Sequence, residues 1–323
     1  MNRSAVPPPV TRVLDAAHAW LPRGMAAVER RLGELALGHG EPLGAEARAT
    51  LGAGGKRLRP MLVLLCAGPE GGEGALRAAT AVELVHEATL VHDDVLDAAP
   101  LRRGSPTVVA RAGRETATAV GDLLFSRAFA ELASERRVAA LAAAAVALAR
   151  GELMQRRDAY RASIAAERYL DRCRLKTASL FECACVIGLG EEGAATVSAI
   201  ARYGREVGIA FQLLDDVLDV SGPPERTGKA RGTDLLDGTV TLPLILARER
   251  DPELAALALR ELDSAAAELA CERIEATGAL EDVRNDARGR VERAKQELRR
   301  AALEPDRREL LALVADGVVE RYA

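Results

Sequence analysis

The sequence predicts an all-α fold, a single-domain helical bundle that spans residues 1–323. Hydrophobic residues make up 49% of the chain but aromatic residues only 3%. The apolar content is therefore mostly Ala, Leu and Val, a mixture that favours helix over sheet. Apolar residues recur at three- and four-residue spacing, and no convincing strand alternation accompanies them. Because no Pro-, Gly- or Ser-rich linker is long enough to divide the chain, we expect one domain.

The periodicity places the helices in order along the chain. The predicted helices cover residues 13–37, 76–97, 117–132, 138–155, 167–187, 194–220 and 254–269. Clusters rich in Gly and Pro separate them at 39–42, 68–74, 98–106, 188–193 and 221–232. Residues 1–10, which include three consecutive prolines, should form a frayed lead-in.

Composition excludes several classes of protein. A net charge of -4 gives no basic excess for a nucleic-acid partner. The longest uncharged apolar run, 138–149, is shorter than the ~20 residues that a membrane span needs. The five cysteines contain no C-x-x-C pair, so we expect reduced, buried thiols in a cytoplasmic protein without a membrane anchor.

Two acidic motifs of the pattern D-D-x-x-D follow apolar runs. The first is Asp93, Asp94 and Asp97, and the second is Asp215, Asp216 and Asp219. In each motif the first and last aspartates are four residues apart, on one helix face and about 6 Å apart along the axis. Carboxylates clustered near a helix C-terminus repel each other and oppose the helix dipole, which indicates a counter-ion. The donor set is the one that Mg²⁺ prefers, so each motif is a candidate magnesium site.

Basic residues occur beside the predicted loops around these motifs. Glycines 54 and 55 precede a basic cluster, and glycine lets a backbone approach a ligand closely. Arginine can fork onto phosphate oxygens, whereas lysine acts as a point charge. The set comprises Lys56, Arg57, Arg59, Arg102, Arg103, Lys176 and Lys229. Together with Mg²⁺ these residues predict a site that holds anionic phosphates from two sides.

The chain resembles the trans-isoprenyl diphosphate synthases, or polyprenyl synthetases, over nearly its whole length. The matching segments are 54–60, 83–107 (ELVHEATLVHDDVLDAAPLRRGSPT), 121–129, 151–155, 176–181, 208–219 (GIAFQLLDDVLD), 228–234 and 240–243. The resemblance implies a helical bundle of the isoprenoid synthase type, with a central cavity between the two Asp-rich helix ends. It implies condensation of isopentenyl diphosphate with dimethylallyl, geranyl or farnesyl diphosphate, giving a linear all-trans polyprenyl diphosphate and releasing diphosphate. It also implies Mg²⁺, three ions with substrate bound, and a homodimer formed through helices.

The resemblance further assigns roles to single residues. Asp93, Asp97 and Asp215 would bind Mg²⁺ that bridges the allylic diphosphate, and Asp94, Asp216 and Asp219 would ligate or support it. The isopentenyl diphosphate pocket would comprise Lys56, Arg59, His86 and Arg103. The allylic side would comprise Arg102, Lys176, Gln212 and Lys229, with Thr177 beside the reacting carbons. Many relatives carry lysine where this chain has Thr239, and some carry lysine near Thr233, which leaves one or two auxiliary phosphate contacts open.

Product length should depend on the residues that precede the first motif. Thr89 and Ala88 lie four and five residues before Asp93, and Val85 lies one turn further back. None is aromatic, so we expect an open cavity there and a product longer than farnesyl diphosphate. The Ala-rich run 138–149 could line that cavity or simply pack closely. Phe125 or Phe129 could still form a floor, so a farnesyl or geranylgeranyl diphosphate synthase remains an alternative.

Two other kinds of protein are weaker alternatives. Terpene cyclases ionise the same substrates, but a cyclase does not require the second diphosphate site that Lys56, Arg59 and Arg103 would supply. A catalytically silent regulatory subunit usually lacks an acidic motif or the basic pocket, and this chain has both.

Overall fold

The structure, a computed structural model, describes residues 8–222 and 231–320. Over these residues it is helical apart from loops and one short hairpin. The first half comprises α1 (Pro8–Ala16), α2 (Leu21–Leu35), α3 (Leu43–Gly52), α4 (Leu58–Ala67), α5 (Gly72–Asp97), β1 (Leu101–Arg102), β2 (Ser105–Pro106), α6 (Val108–Ala130) and α7 (Glu135–Asp158). The second half comprises α8 (Ala166–Cys173), a π-helical turn (Arg174–Ala178), α9 (Ser179–Gly188), α10 (Ala194–Ser221), α11 (Thr233–Leu236), α12 (Leu242–Arg248), α13 (Pro252–Ala256), a 3₁₀ turn (Leu259–Glu261), α14 (Ser264–Ala276), α15 (Ala279–Arg300) and α16 (Pro305–Glu320). The predicted all-α fold is confirmed.

Helices α5 and α10 form the centre of the bundle. Both bury apolar residues on most of their circumference, as a helix that is apolar all round must do. Helix α9 packs against both of them, α6 packs against α5, and α15 packs against α10. Helices α5 and α10 carry the two acidic motifs, and the turn between α8 and α9 approaches both: Lys176 lies 3.7 Å from Asp93, and Thr177 bonds Gln212 of α10.

The bounds of three predicted helices are wrong, because 13–37 and 254–269 are divided and the helix predicted at 117–132 begins at Val108. The predicted helix 13–37 is two helices, and the break falls just before Pro22, which occupies the first turn of α2. A proline is favoured in the first turn of a helix, where its missing N–H would have no partner, whereas inside a continuous helix it would remove a hydrogen bond and clash with the preceding turn. Helix α1 begins at Pro8, inside the segment that we expected to be frayed.

The predicted helix 254–269 divides into α13, the 3₁₀ turn and the start of α14. Asp251 and Asp263 cap α13 and α14, each accepting hydrogen bonds from backbone N–H groups of the first turn. Such caps are local signals that a helix starts there. Apolar spacing alone did not separate them.

The predicted break at 98–106 contains the β1–β2 hairpin. Leu101 pairs with Pro106 and Arg102 with Ser105, and the turn residues Arg103 and Gly104 have φ of 53° and 76°. Left-handed backbone at both central positions is typical of the tight turns that join two-residue hairpins. Left-handed backbone is uncommon for a residue with a side chain. At Arg103 this backbone conformation sets the direction in which the side chain leaves the turn.

All five cysteines are buried, as predicted, and all five are free. Helix α7 is the one helix among the described residues that is long and apolar enough to cross a membrane by length and composition. Only 17% of its apolar window is buried inside the chain. Its exposed residues, including Val146 and Leu153 at 60% and 59% exposure, form an apolar face that this chain does not cover.

Candidate active site

The first acidic motif lies in the last turn of α5. The helix ends at Asp97 because Ala98 adopts left-handed backbone with φ of 49°. Asp93 and Asp97 share a helix face, whereas Asp94 is buried, accepts a hydrogen bond from Arg102 Nε at 2.8 Å and lies 2.7 Å from Arg102 Nη2. Asp94 therefore holds the β1–β2 hairpin against α5, and the face available to a ligand is that of Asp93 and Asp97.

Two cations compensate the charges of Asp93 and Asp97. Lys176 Nζ lies 3.7 Å from Asp93 Oδ2, and Arg156 Nη2 lies 2.5 Å from Asp97 Oδ1. Both cations also contact Glu152, Lys176 through Oε2 and Arg156 through Oε1 at 2.7 Å. Sequence reasoning missed Glu152 and Arg156, although their four-residue spacing on a helix favours an ion pair.

Burial controls the protonation of these carboxyl groups. It raises the pKa of Asp93 to about 6, with Glu152 and Asp97 adding to the increase and Lys176 opposing it. Burial also raises the pKa of Glu152, but Lys176 and Arg156 outweigh burial and hold that pKa below its ordinary value. Glu152 is thus the firmly ionised member of the group, and Asp93 is the one that titrates near neutral pH.

The second acidic motif lies within α10, which continues to Ser221. Asp216 is buried and accepts hydrogen bonds from Tyr169 Oη and, at 2.7 Å, from Gln212 Nε2. Burial raises the pKa of Asp216 to about 7 although both hydrogen bonds oppose the shift. Asp219 accepts from the backbone N–H of Asp234 at 3.1 Å, and Asp215 is exposed. Within this motif, Asp216 therefore fixes the positions of the Tyr169 and Gln212 side chains through buried hydrogen bonds.

Lys176 and Thr177 lie in the π-helical turn between α8 and α9. π-helical turns occur often at functional sites. Two glycines let the neighbouring helices approach this turn. A Cβ on Gly151 of α7 would lie 2.6 Å from the backbone N of Lys176, and one on Gly208 of α10 would lie 2.6 Å from Cα of Ala178.

Thr177 Oγ1 donates to Gln212 Oε1 at 2.7 Å. With the bond from Gln212 to Asp216, this fixes both ends of the Gln212 amide. A cavity of about 190 Å³ lies beside these groups. Its lining includes Gln155, Tyr169, Arg172, Lys176, Thr177, Gln212, Asp216, Asp234 and Thr239.

The basic residues predicted for a second diphosphate come together next to the first motif. Arg103 donates to Gly54 O and to Glu87 Oε1 at 3.2 Å, so the hairpin reaches the 54–57 loop. Arg59 stacks on Phe181 at 4.7 Å, and its Nε is buried without a hydrogen-bond partner among the described residues. An unpaired buried donor on a cation is costly and is suited to an incoming anion. Lys56 is exposed in the same loop.

His86 lies among these arginines. Burial lowers its pKa well below the ordinary value, and Arg59 and Arg103 lower it further. His86 is therefore neutral at pH 7 and would meet a diphosphate as a hydrogen-bonding group. Arg57, which the sequence placed in the basic set for phosphates, is instead fully buried and bonds Glu29, Glu83 and Glu87 at 2.6 to 2.9 Å. It fastens the loop to α2 and α5.

The structure brings most of the predicted site residues into three groups. It groups Asp93, Asp97 and Lys176, then Thr177, Gln212 and Asp216, and then Arg59, His86 and Arg103. Arg102 pairs with Asp94. Lys229 lies outside the described residues. Thr239 lines the cavity, and Thr233 begins α11.

Comparison with known proteins gives consistent matches. A family model described as polyprenyl synthetase matches residues 41–273. Heptaprenyl diphosphate synthase component 2 of Geobacillus stearothermophilus is 41% identical over 83% of this chain and 87% of its own length. Geranylgeranyl diphosphate synthase of Methanosarcina mazei is 34% identical over 87% and 90%. A polyprenyl synthase of Caulobacter crescentus, solved with calcium and isoprenyl diphosphate, superposes with a TM-score of 0.89 at 35% identity, covering 97% of this chain and 98% of that one.

Proposed function

The chain belongs to the polyprenyl synthetase family and is a trans-prenyltransferase, and we propose that it joins isopentenyl diphosphate to an allylic diphosphate at the site described above. The observation that carries this assignment of the site is the pairing of an acidic face, Asp93 and Asp97, with a separate basic pocket around Arg59. Two diphosphates need two binding places, and the described residues offer both. We further propose that residues 1–323 act as one domain, since α1 packs against α16 at the other end of the chain.

Mg²⁺ is the proposed cofactor, with three ions when substrate is bound, as the resemblance implies. No group of three or more acidic, His or Cys side chains converges on one point among the described residues. Mg²⁺ does not need such a cage, because it binds through one or two carboxylates and completes its shell with water and substrate phosphates. Asp93 and Asp97 offer that donor set, and Asp215 would supply the second motif's ligand. Bound Mg²⁺ would stabilise the charge that develops on the leaving diphosphate.

The allylic substrate would lie between the first motif and the cavity beside Gln212. Lys176 lines that cavity and also approaches Asp93, so it can pair with the leaving diphosphate. Gln212 Oε1 and Thr177 Oγ1 both carry lone pairs beyond their mutual hydrogen bond. These oxygens can direct dipoles at the allylic cation, and the bond to Asp216 keeps the Gln212 amide from turning.

Isopentenyl diphosphate would bind in the basic pocket of Lys56, Arg59, His86 and Arg103. Arg59 Nε, which has no hydrogen-bond partner among the described residues, would donate to a phosphate oxygen of this substrate. The double bond of isopentenyl diphosphate then attacks the allylic cation, and we assign the released proton to the departing diphosphate.

We propose that the product is longer than farnesyl diphosphate, as the name of the Geobacillus relative supports. We propose that the side chains before Asp93 permit this length. Val85 and Ala88 are buried aliphatic residues, and Thr89 turns its hydroxyl back to the carbonyl of His86 at 2.7 Å. Phe125 stacks on His92, with ring centroids 5.9 Å apart, and is the candidate for the floor that ends elongation.

We propose that a second copy of the chain covers the exposed apolar face of α7. That face includes Ala139, Ala143, Val146 and Leu153, which recur at helical spacing. Val146→Glu should shift the molar mass measured by light scattering from dimer to monomer, and a monomeric wild-type chain would oppose the proposal. The Geobacillus relative is named as one component of a synthase, so a different subunit on this face is the alternative outcome.

We place the working enzyme in the cytoplasm without a membrane anchor, consistent with its five free cysteines.

The central test is an incubation with Mg²⁺, labelled isopentenyl diphosphate and, separately, dimethylallyl, geranyl, farnesyl and geranylgeranyl diphosphate. We expect linear prenols longer than farnesol after dephosphorylation, and none with EDTA or with Asp93→Ala. Asp122→Ala is the matched control, because Asp122 is an exposed acid outside both motifs. Cyclic hydrocarbons would favour a terpene cyclase, and no turnover with any primer would favour a silent subunit.

A further inference from the structure

Arg156 lies on α7, opposite the end of the first acidic motif. Its Nη2 contacts Asp97 Oδ1 at 2.5 Å, and its Nε contacts Glu152 Oε1 at 2.7 Å. The side chain is 38% exposed, so it can move without disturbing the core. None of the proposed roles of the site uses this arginine.

Arg156 is one member of a cluster of alternating charges. In order around the cluster stand Asp97, Arg156, Glu152, Lys176 and Asp93. Three carboxylates face two cations, so the cluster retains one formal negative charge. Asp93 and Asp97, the two aspartates of the first motif proposed to bind metal, are therefore each already paired with a cation that Glu152 holds in place.

A divalent cation at Asp97 would compete with that pairing. The guanidinium donates into Oδ1 of Asp97, and a doubly charged ion bound within about 6 Å of it would be repelled. Arg156 has to withdraw from Asp97, or share it, before the ion binds fully. The arriving diphosphate changes this balance, because it brings negative charge with which both the ion and the released arginine can pair.

We propose that Arg156 is a resident counter-ion of Asp97, which weakens the binding of divalent cations to the free enzyme and makes their entry depend on the diphosphate. This inference rests on the proposed metal role of Asp93 and Asp97. It assigns Arg156 a positioning and gating role toward the metal, and no contact with the reacting carbons.

The test is a Mn²⁺ titration of the substrate-free full-length chain, followed by loss of the free-ion EPR signal. Arg156→Met should bind Mn²⁺ about three- to tenfold more tightly than the wild type, as expected when a positive charge ~6 Å from a divalent ion is removed. Arg156→Lys should stay within about twofold of the wild type, because it retains the charge. Arg157→Met is the matched control. It removes the same charge at the next position, but Arg157 is exposed and no ion pair among the described residues includes it.

The outcomes separate this inference from the proposed metal site. Mn²⁺ binding that Asp97→Asn abolishes, but that Arg156→Met leaves unchanged or weakens, would overturn the inference and keep the site. Equal tightening in Arg156→Met and Arg157→Met would also overturn it, since net charge would then be the cause. If no variant shows binding that depends on Asp97, both the metal site and the inference fall. Unchanged circular dichroism and melting temperatures would establish that each variant is folded.

Discussion

The two acidic motifs have the same sequence pattern but different surroundings. The first lies at the end of α5, where Arg102, Arg156 and Lys176 compensate its three carboxylates. The second lies in the last two turns of α10, where Asp216 is held by the neutral donors Tyr169 and Gln212. Partly exposed cations can be exchanged for a metal ion, whereas buried hydrogen bonds cannot be exchanged without cost. We infer that a metal ion can replace the counter-ions of the first motif, which we call the exchangeable half of the site. The hydrogen-bond partners of Asp216 in the second motif stay in place, and we call that motif the fixed half.

The largest expected effect is a difference in kcat between substitutions at two adjacent residues of the first motif, Asp93 and Asp94. Asp93→Asn should lower kcat about 10³-fold, because it removes a proposed metal ligand. Asp94→Asn should lower kcat only about tenfold, since Asp94 binds Arg102 and acts on the hairpin. Steady-state kinetics at saturating Mg²⁺ would measure both. Equal losses would mean that Asp94 also faces the metal and that the assignment of faces is wrong.

A second prediction concerns the contact between α7 and the π-helical turn. Gly151→Ala would place a Cβ 2.6 Å from the backbone N of Lys176, so α7 must move away from the turn. We expect about a 100-fold loss of kcat, with a loss of about 1–3 kcal/mol in the free energy of unfolding. Urea denaturation and kinetics would check the two effects.

Gly289→Ala is the control for this prediction. Gly289 lies on α15, where the added Cβ would meet only the end of an arginine side chain at 3.6 Å. Replacing that helical glycine should stabilise the chain by about 0.5–1 kcal/mol and leave kcat unchanged. Full activity in Gly151→Ala would show that the close approach has no role in placing Lys176.

The third prediction tests the fixed half of the site. Tyr169→Phe removes one donor to buried Asp216 and loosens the chain of bonds through Gln212 to Thr177. We expect about a tenfold loss of kcat and about 1–3 kcal/mol of stability. Tyr203→Phe is matched, because its buried hydroxyl donates to Leu311 O at 2.7 Å, outside the described site. It should lose similar stability and no kcat, and an equal loss of kcat in both variants would remove the special role of Tyr169.

Sequence alone predicted the helices that carry the motifs, and it named most of the side chains that the structure brings together around them. Helices α5 and α10 have long periodic apolar patterns, and a D-D-x-x-D motif places its own charges on one face. The partners of those charges were harder to identify, because Tyr169, Glu152 and Arg156 meet the aspartates only through tertiary packing. The π-helical turn at Lys176 also has no sequence signature of its own. Its position follows from the approach of Gly151 and Gly208, which are far apart in the sequence.

The smallest expected effect is on the melting temperature, whose dependence on pH should differ between substitutions in the two motifs. The pKa of Asp93 is raised to about 6 in the folded chain, above its unfolded value of about 3.9. A raised pKa means that the protonated carboxyl stabilises the fold. That contribution is fully present below about pH 4 and is lost as the pH rises through 6.

Without metal, Asp93→Asn should therefore melt about 3 °C higher than the wild type at pH 7.5, because asparagine removes a buried charge. The difference should disappear near pH 4, where Asp93 is protonated. Saturating Mg²⁺ should stabilise the wild type selectively and reverse the order at pH 7.5, since the ion favours the ionised carboxylate. Calorimetry at the two pH values, with and without Mg²⁺, would measure this.

The same scan on Asp216→Asn should show no reversal by Mg²⁺, because Asp216 is compensated by Tyr169 and Gln212. A reversal in both variants would mean that the two motifs exchange their counter-ions alike, and the distinction between them would fail.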